Sequence, residues 1–283
     1  MEYLIPSPLK INLTLRVTGK KSDGLHSLHS LFYRIDGPES LLVRLPSPLG
    51  RDLVRVYNCE IKGENIIFKV LDALRNRGMA GIPLEIEINK AVPPGTGLGA
   101  GSGNAAAMID WARRFLGART EDGFERTIGS DVPFLCSRYP LAQVGGTGER
   151  LVPVKRELPV SGCLLIPAWR SETAEAYRAI DAKPGRNWIT DEQATEESGE
   201  ILSDLASGSK VGLLPNDFLT VLDHYRREYE ILFGLLEKTG ALAWGLSGSG
   251  SALFALYAKG KCDFAVSPEL AGAPGIERIL FWE

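Results

Sequence analysis

Residues 93–104 constrain the fold of this chain more than any other segment. They read PPGTGLGAGSGN and place five glycines in the nine residues from Gly95 to Gly103. An alternating apolar strand is predicted before them, over residues 83–92, and a helix after them, over residues 105–116. Glycine allows positive φ angles and close approach of the backbone to a ligand. The order strand, glycine loop, helix therefore predicts a di- or triphosphate site at a helix N-terminus, with a flexible surface loop as the alternative.

Other well-known phosphate loops fit this segment less well. A P-loop ends in Gly-Lys-Ser/Thr, and no lysine lies between Lys90 and the predicted helix. The dinucleotide pattern G-x-G-x-x-A occurs at Gly95, Gly97 and Ala100, but Asp110, the next acid, falls inside the helix instead of ending a second strand. The H-R-D and D-F-G motifs of protein kinases are absent. A nicotinamide oxidoreductase is thus an alternative, although this chain lacks the acidic residue that binds the ribose in such enzymes.

Glycine is abundant and unevenly placed. The chain has 31 glycines in 283 residues, where average usage of about 7% would give roughly 20. Three lie in residues 145–148 and four in residues 240–250, besides the five of the loop.

The uncharged residues 239–258 are long enough to cross a bilayer. Their dense glycine and serine content predicts a backbone-lined pocket instead of a membrane span.

Composition narrows the function classes. A net charge of −3 gives no basic surface for nucleic acid or for an acidic membrane, so neither is an expected partner. The four cysteines are far apart and lack metal or redox spacing, and residues 1–10 lack a signal or transit pattern, which together favour a cytoplasmic protein. The length suggests two domains, here placed at residues 1–155 and 156–283.

Strands and helices alternate in blocks, which predicts an α+β fold with two halves. Strands are predicted over residues 9–15, 28–35, 41–45, 53–59, 142–149, 162–167, 242–246, 252–257 and 277–282. Helices are predicted over residues 65–77, 171–180, 201–206, 216–225 and 229–238. Residues 182–200 are hydrophilic and are expected to be mobile.

Three segments are similar to the three motifs of the GHMP kinase superfamily. The glycine loop resembles its ATP loop, PLKINL at residues 8–13 resembles its first motif, and LSGSGSALF at residues 246–254 resembles its third. Within the superfamily, DGLHSL (23–28), GSDVPF (129–134), GTGE (146–149) and residues 171–177 most resemble the 4-diphosphocytidyl-2-C-methyl-D-erythritol kinase family. Each match is weak alone, whereas their common order and spacing are specific.

The resemblance implies a fold, a reaction and its ligands. It implies a two-domain GHMP kinase fold, with an N-terminal half like domain 2 of ribosomal protein S5, a ferredoxin-like C-terminal half and an active site in the cleft between them. The implied reaction is ATP-dependent phosphorylation of the 2-hydroxyl of the cytidine-diphosphate-linked polyol that names the family, in non-mevalonate isoprenoid biosynthesis. ATP and Mg²⁺ are the implied cofactors, without a dedicated metal site, and the protein is expected to be a monomer or homodimer.

Two residues carry the chemistry that the resemblance implies. Asp131 matches the catalytic aspartate, which takes or polarises the hydroxyl proton, and Lys10 matches the lysine that keeps this carboxylate ionised and faces the phosphate. Taken alone, Lys10 would be a solvated strand residue and Asp131 a turn or cap residue before Pro133. Ser102 is the one nearby oxygen ligand expected for Mg²⁺. The implied ATP-binding residues are Pro94, Gly95, Gly97, Leu98, Gly99, Ala100, Gly101, Ser102, Gly103 and Asn104.

The implied polyol site uses residues from three other segments. Asn12 would bind the methylerythritol hydroxyls, His26 the cytosine edge, and Tyr177 one face of the cytosine ring. The second aromatic position departs from the family, since Leu25 stands where a tyrosine is usual. Trp169 and Phe32 are the candidates to compensate, although a core position is more typical for both.

The third motif would close the site through Ser247, Gly248 and Gly250, with an ordinary glycine hairpin as the alternative. Two further departures concern the first half: Gly103 stands where the family has a second serine, and the connection from residue 106 to residue 131 is short. Another GHMP kinase, such as a mevalonate or homoserine kinase, is the first alternative. A silent nucleotide-binding relative is the second, although Lys10 and Asp131 argue against it.

Overall fold

Two long strands, β1 (Glu2–Lys20) and β2 (His26–Arg44), begin the fold and contribute to both of its structural units. The computed structural model describes residues 1–183, 185, 187–261, 270, 272–273 and 275–283. Unit 1 comprises Met1–Lys10, Arg34–Pro94 and Gly99–Tyr139, and unit 2 comprises Ile11–Tyr33, Gly95–Leu98 and Pro140–Glu283. The sequence-based boundary at residue 155 falls inside unit 2, and the division into two sequential domains stays a prediction.

Unit 1 packs four helices with a small sheet. The sheet contains the second part of β2, which pairs antiparallel with β4 (Glu85–Asn89), and β3 (Leu53–Tyr57), which pairs parallel with β4. The helices are α1 (Ile66–Arg75), α2 (Ala100–Phe115), α3 (Phe124–Ile128) and α4 (Val132–Ser137). The Asn65 side chain caps α1, because its oxygen accepts the Ile67 N–H.

Helix α2 begins five residues earlier than the sequence predicts, at Ala100 inside the glycine loop. Glycine is a poor helix former, so propensity places the start too late. Packing explains why this turn of the helix consists of small residues. A Cβ atom on Gly103 would lie 1.9 Å from the carbonyl oxygen of Pro8 in β1, so the strand and the helix approach each other through this glycine. The close approach also accounts for the absence of the family's second serine at this position.

Unit 2 contains the first part of β2 with two later strands beside it, and a separate five-stranded sheet. The first part of β2 pairs antiparallel with β5 (Leu141–Gly146), which pairs with β6 (Arg150–Pro153). The five-stranded sheet has the order β11-β7-β10-β9-β8. Its strands are β7 (Val160–Pro167), β8 (Gly212–Leu213), β9 (Ala243–Leu246), β10 (Leu253–Ala258) and β11 (Ile276–Trp282), and the helices of unit 2 are α5 (Thr173–Asp181), α6 (Asp191–Ser207) and α7 (Arg226–Glu237).

The prediction that residues 182–200 are mobile is wrong for their second half, which forms the start of α6. Thr190 and Gln193 form a reciprocal capping box at its N-terminus. The buried face of this helix begins with the small residues Ala194 and Ser198, so the hydrophobic pattern is weak in the sequence. Residues 216–225 form two short 3₁₀ turns instead of the predicted helix.

The uncharged segment 239–258 forms β9, a glycine turn and β10. The described part of the chain contains no helix with the length and hydrophobicity that a bilayer span requires. Both strands of this segment are buried within the five-stranded sheet, where β10 pairs with β9 and β7. Burial in a sheet therefore accounts for the absence of charge.

Paired substitutions test the packing of α2 on β1. Gly103→Ala is expected to lower the free energy of unfolding by about 1–3 kcal/mol, because its Cβ overlaps backbone. Gly101→Ala, in the same helical turn, meets no atom within 4 Å and should be neutral or stabilising by up to about 1 kcal/mol. Urea unfolding of both variants measures the difference. Equal stabilities would show that the close approach at Gly103 is not maintained in solution.

Candidate active site

Lys10 and Asp131 form an ion pair within unit 1. The Lys10 Nζ lies 3.7 Å from the Asp131 Oδ2, with the lysine side chain 5% exposed and the aspartate side chain 26% exposed. Asp131 occupies the N-cap position of α4, but its side chain makes no capping hydrogen bond. The carboxylate therefore faces Lys10, remains accessible to a ligand and does not act as a helix cap.

The environment of Lys10 shifts its protonation equilibrium. Burial lowers the pKa of Lys10 below 10.5, and the negative charge of Asp131 opposes that shift. The partly exposed carboxylate thus stabilises a buried ammonium group. Together the two groups provide a proton acceptor beside a fixed positive charge.

The N-terminus of α2 lies directly against this pair. Gly99 precedes the helix with φ +66°, and a Cβ there would lie 3.1 Å from Lys10 Cγ and 3.4 Å from Asp131 Oδ2. The helical bonding pattern begins with the Gly103 N–H and the Gly99 carbonyl at 2.8 Å, so the preceding N–H groups lie beyond the reach of helical acceptors. No acidic residue in the first turn offsets the helix dipole. A helix N-terminus of this kind suits an anion, and here it lies next to a cation and a carboxylate.

A buried carboxylate holds the two ends of the glycine loop. Glu39 accepts hydrogen bonds from the Lys90 Nζ at 2.6 Å and from the backbone N–H groups of Ala91 and Val92, each at 3.2 Å. The Asn104 Nδ2 also donates to Glu39 at 3.1 Å, and the Asn104 Oδ1 accepts from Lys90 at 3.1 Å. Residues before and after the loop are therefore attached to one side chain.

Sequence reasoning missed Glu39 and Lys90 and assigned Asn104 directly to ATP. The Asn104 side chain is 2% exposed, and its amide is bonded inside the protein, including a 2.8 Å bond from Nδ2 to Ser7 Oγ. These contacts fit a role in positioning the loop. Polar residues flank both, Ser40 beside Glu39 and Asn89 beside Lys90, so the local sequence gives no signal and only the pairing in the fold identifies them.

In unit 2, residues 95–98 of the loop lie against the third motif. The Ser247 hydroxyl donates to the Gly97 carbonyl at 2.9 Å, and a Cβ on Gly97 would lie 2.0 Å from the Ser247 carbonyl oxygen. Gly248 has φ +57°, and a Cβ there would lie 3.2 Å from Gly97. The Gly250 N–H donates to the Ser247 carbonyl at 2.9 Å. The structure thus brings together Ser247, Gly248, Gly250 and the loop, which an isolated glycine hairpin would not require.

Asn12 lies beside the same motif. Its backbone N–H donates to the Ser247 hydroxyl at 3.3 Å, and its Nδ2 donates to Ser30 Oγ at 2.8 Å. Asn216, which sequence reasoning did not assign, supports the motif from the other side by donating to the carbonyls of Leu246 and Gly248, both at 2.9 Å. The position of Asn12 is therefore fixed by buried hydrogen bonds.

His26 and Tyr177, assigned to the cytidyl group from sequence, are in direct contact in unit 2. Their rings stack with centroids 4.6 Å apart at 18°. The His26 Nε2 lies 2.7 Å from Asp181 Oδ1, and Lys20 Nζ lies 2.6 Å from Asp181 Oδ2. These hydrogen bonds, from Lys20 first and His26 second, lower the pKa of Asp181. Sequence reasoning missed Lys20 and Asp181, which fix the orientation of the His26 ring.

The candidates to replace the missing tyrosine have other contacts or are buried. Leu25 is 56% exposed at the tip of the β1–β2 turn. Trp169 stacks on Tyr225 with centroids 4.9 Å apart and donates to the Tyr229 hydroxyl at 3.0 Å, and Phe32 is 4% exposed. Trp188, which no sequence motif indicated, has its ring centroid 6.2 Å from that of His26.

The domain families that match the chain agree with these motifs. The family model "GHMP kinases N terminal domain" matches residues 65–133, which contain the glycine loop and Asp131. The model "GHMP kinases C terminal" matches residues 196–263, which contain the third motif.

Curated relatives extend the similarity to nearly the whole chain. The 4-diphosphocytidyl-2-C-methyl-D-erythritol kinase of Nitratidesulfovibrio vulgaris (strain DP4) is 32% identical over 277 residues, covering 94% of both chains. The enzyme of the same name from Chlorobium luteolum is 31% identical over 258 residues, covering 88% of this chain and 86% of its own.

Solved structures show the same fold. A crystal structure of 4-(cytidine 5'-diphospho)-2C-methyl-D-erythritol kinase matches with a TM-score of 0.79 at 27% identity, covering 100% of this chain and 98% of that chain. The mevalonate kinase of L. major matches with a TM-score of 0.67 at 15% identity, covering 98% and 94%, which supports the fold alone. The predicted α+β GHMP kinase fold is confirmed. The chain therefore belongs to the GHMP kinase superfamily and, within it, to the 4-diphosphocytidyl-2-C-methyl-D-erythritol kinase family.

Proposed function

We propose that this small-molecule kinase transfers the γ-phosphoryl group of ATP to the 2-hydroxyl of 4-diphosphocytidyl-2-C-methyl-D-erythritol, in the non-mevalonate route to isoprenoids. The observation that carries the proposal is the contact of Gly99, at the N-terminus of α2, with the Lys10–Asp131 pair. Phosphoryl transfer needs an anion site, a positive charge and a proton acceptor in one place, and unit 1 contains all three. The identity of the substrate is inferred from relatives that share about a third of their residues with this chain.

The nucleotide phosphates bind at the start of α2. The backbone N–H groups of Ala100, Gly101 and Ser102 and the helix dipole stabilise their negative charge, and the Lys10 ammonium adds a full positive charge beside Gly99. The implied ATP site extends along the loop through Pro94, Gly95, Gly97, Leu98, Gly99, Gly103 and Asn104, with Asn104 and Glu39 holding the loop ends in place.

Asp131 accepts the proton of the attacking hydroxyl, and the Lys10 Nζ lies 3.7 Å from its carboxylate. Oxygen donors near this pair suit Mg²⁺: the Asp131 carboxylate and the Ser102 hydroxyl, which lies 3.7 Å from the Cβ position of the neighbouring Gly129. Mg²⁺ bound with ATP would neutralise charge on the phosphates. Among the described residues, no group of three or more His, Cys, Asp or Glu side chains could hold a metal by itself, so the ion would enter as the ATP complex.

The polyol substrate is bound by unit 2 residues in this proposal. Asn12 hydrogen-bonds the methylerythritol hydroxyls, while His26, Tyr177 and the backbone around Leu25 bind the cytidyl group. Ser247, Gly248 and Gly250 hold residues 95–98 of the ATP loop in position.

The protein acts in the cytoplasm, as a monomer or homodimer, on a small molecule alone. Two features of the sequence support this part of the proposal. The net charge of −3 gives no basic surface for nucleic acid or acidic lipid. The four cysteines are far apart in the sequence and lack metal or redox spacing, which suits a reducing compartment.

An ADP-release assay tests the substrate. We expect turnover with 4-diphosphocytidyl-2-C-methyl-D-erythritol and none with mevalonate or homoserine at the same concentration, because the nucleoside-binding residues have no partner in the smaller alcohols. Chelation of Mg²⁺ with EDTA should abolish the signal, and excess Mg²⁺ should restore it. Equal or faster turnover of mevalonate or homoserine would overturn the assignment.

Replacement of the catalytic carboxylate tests the proposed chemistry. Asp131→Asn keeps the side-chain shape but removes the proton acceptor, so kcat should fall by about 10²–10⁴-fold with little change in the KM for ATP. Asp110→Asn is the matched control, because that carboxylate pairs with Arg138 on the surface of the same unit. Full activity of Asp131→Asn would remove its catalytic role.

The lowered pKa of Lys10 predicts a pH dependence of ATP binding. A lysine loses its charge as pH rises through its pKa, so the ATP affinity of the wild type should fall at a pH below 10.5, the ordinary value. Lys10→Arg stays charged throughout this range and should show no such fall. Calorimetric titration from pH 7 to 10, with circular dichroism to monitor folding, measures both. A decline at the same pH in both proteins would exclude Lys10 as the titrating group.

A further inference from the structure

A cavity of about 840 Å³ lies within unit 1, lined by the first residues of β1, the second half of α2 and the end of α4. Most of its wall is aromatic or aliphatic, and includes Tyr3, Leu4, Ile5, Trp111, Phe115 and Leu135. None of the described lining residues is among those assigned to ATP or to the polyol. This volume and a mainly apolar wall are typical of a small-molecule site.

The cavity contacts the two helices that begin at the proposed catalytic pair. Helix α2 follows Gly99, and α4 follows Asp131. Their later residues meet at the cavity, where the Arg138 Nη2 donates to the Asp110 Oδ2 at 2.6 Å. An α-helix rises 1.5 Å per residue, so Asp110 lies about 16 Å along α2 from Gly99. The cavity is therefore separate from the phosphate loop, although it shares both helices with it.

The charged groups of the wall are unevenly compensated. Five of the six charged lining residues form ion pairs, namely Arg34 with Asp36, Arg138 with Asp110, and Glu2 with Arg44 outside the cavity. The sixth, Arg114, has no ion-pair or hydrogen-bond partner among the described residues. It is exposed in the last turn of α2. The charge that the wall leaves uncompensated is therefore positive.

The wall also holds a neutral donor without a partner. Trp111 is 2% exposed, and its indole N–H has no acceptor in the part of the chain that the structure describes. The rings of Tyr3 and Phe115 pack around the indole, with centroids 5.6 and 6.1 Å from its own. Arg114 and Trp111 both offer N–H donors, so an occupant with acceptor oxygens complements them.

We propose that this cavity binds a small organic anion that has an apolar body and a phosphate or carboxylate group. The apolar body packs against the rings of Tyr3, Trp111 and Phe115. The anionic group binds the Arg114 guanidinium. Because the C-terminal end of α2 carries a negative partial charge, selection of an anion depends on Arg114. The site is independent of the proposed kinase reaction, since its residues differ from those assigned to the nucleotide and the polyol.

The start of β1 is unsuited to a peptide strand as the occupant. Among the described strands, β1 pairs only with β2, so it forms an edge of its sheet. Pro6 and Pro8 lie within it and line the cavity. Proline has no N–H, and on an edge strand it deprives an added strand of the donors that pairing needs. A small molecule is therefore the occupant that fits this wall.

Calorimetric titration with three naphthalene compounds tests the charge selection. At neutral pH 2-naphthyl phosphate is an anion, 2-naphthol is neutral and 2-naphthylmethylamine is a cation, while all three share one apolar body. A non-hydrolysable ATP analogue and cytidine 5′-diphosphate are kept at saturating concentration to fill the sites described above. The wild type should bind the phosphate about 10-fold more tightly than the amine. Equal affinities, or no binding of the phosphate, would overturn the proposal.

Substitution of Arg114 locates the anionic group. Arg114→Ala should raise the Kd of 2-naphthyl phosphate by about 3- to 10-fold and leave that of 2-naphthol unchanged. Arg114→Lys keeps the charge and should bind the phosphate more tightly than Arg114→Ala does. Arg119→Ala is the matched control, because it removes an exposed arginine of unit 1 that does not line the cavity. An unchanged Kd in folded Arg114→Ala, or an equal loss in Arg119→Ala, contradicts the role of Arg114.

Removal of one ring tests the apolar wall. Phe115 is 53% exposed, with its ring centroid 4.6 Å from that of Tyr3. Phe115→Ala should weaken binding of the phosphate and of 2-naphthol by about 2- to 10-fold. Leu49→Ala, which removes an exposed apolar side chain of unit 1 outside the cavity, is the control. Circular dichroism and urea unfolding verify that each variant is folded, and an unchanged Kd in folded Phe115→Ala excludes the apolar contact.

Sedimentation velocity distinguishes a small anion from a second copy of the chain as the occupant. We expect 2-naphthyl phosphate to leave the sedimentation coefficient of the wild type unchanged. Dissociation of a dimer by this compound would show that a second copy covers the cavity, and the proposal would then be wrong.

Discussion

The buried Glu39 carboxylate makes the interaction on which the geometry of the glycine loop depends. It binds the Lys90 ammonium, two backbone N–H groups at the end of the β4 segment, and the Asn104 amide at the start of α2. A glycine loop has little intrinsic order, so its geometry must be imposed at its ends. Loss of either charge from a buried pair costs about 3–5 kcal/mol, because the other remains uncompensated. The contacts of Glu39 thus make a large contribution to the stability of the fold, and they also fix the position at which α2 begins.

The same principle governs the proposed catalytic pair. A buried lysine is unfavourable without a counter-charge, and Asp131 provides one while keeping a quarter of its side chain accessible. Gly99 allows the helix N-terminus to approach both groups without a side chain in between. Gly97 and Gly103 instead allow close packing within the protein. Gly97 lets the loop pack against Ser247 in unit 2, and Gly103 lets α2 pack against Pro8 in unit 1. Glycine spacing in this loop therefore reflects protein packing as well as ligand approach.

The departures from the family have different explanations. Gly103 in place of serine follows from the carbonyl of Pro8, which occupies the space of a side chain. Leu25 in place of tyrosine leaves an exposed aliphatic side chain at a hairpin tip.

The sequence by itself determined the family, the α+β class, the phosphate loop, and the pair Lys10 and Asp131, because ordered motifs, strand alternation and glycine spacing are local signals. It also indicated His26 and Tyr177, whose rings are in contact. Only the tertiary structure decided the start of α2, the helix at Asp191–Ser207, and the positions of Glu39, Asp181 and Arg114. These features depend on which distant residues meet across strands and turns. Burial and long-range pairing set the energies of these contacts, and neither can be read from neighbouring residues in the chain.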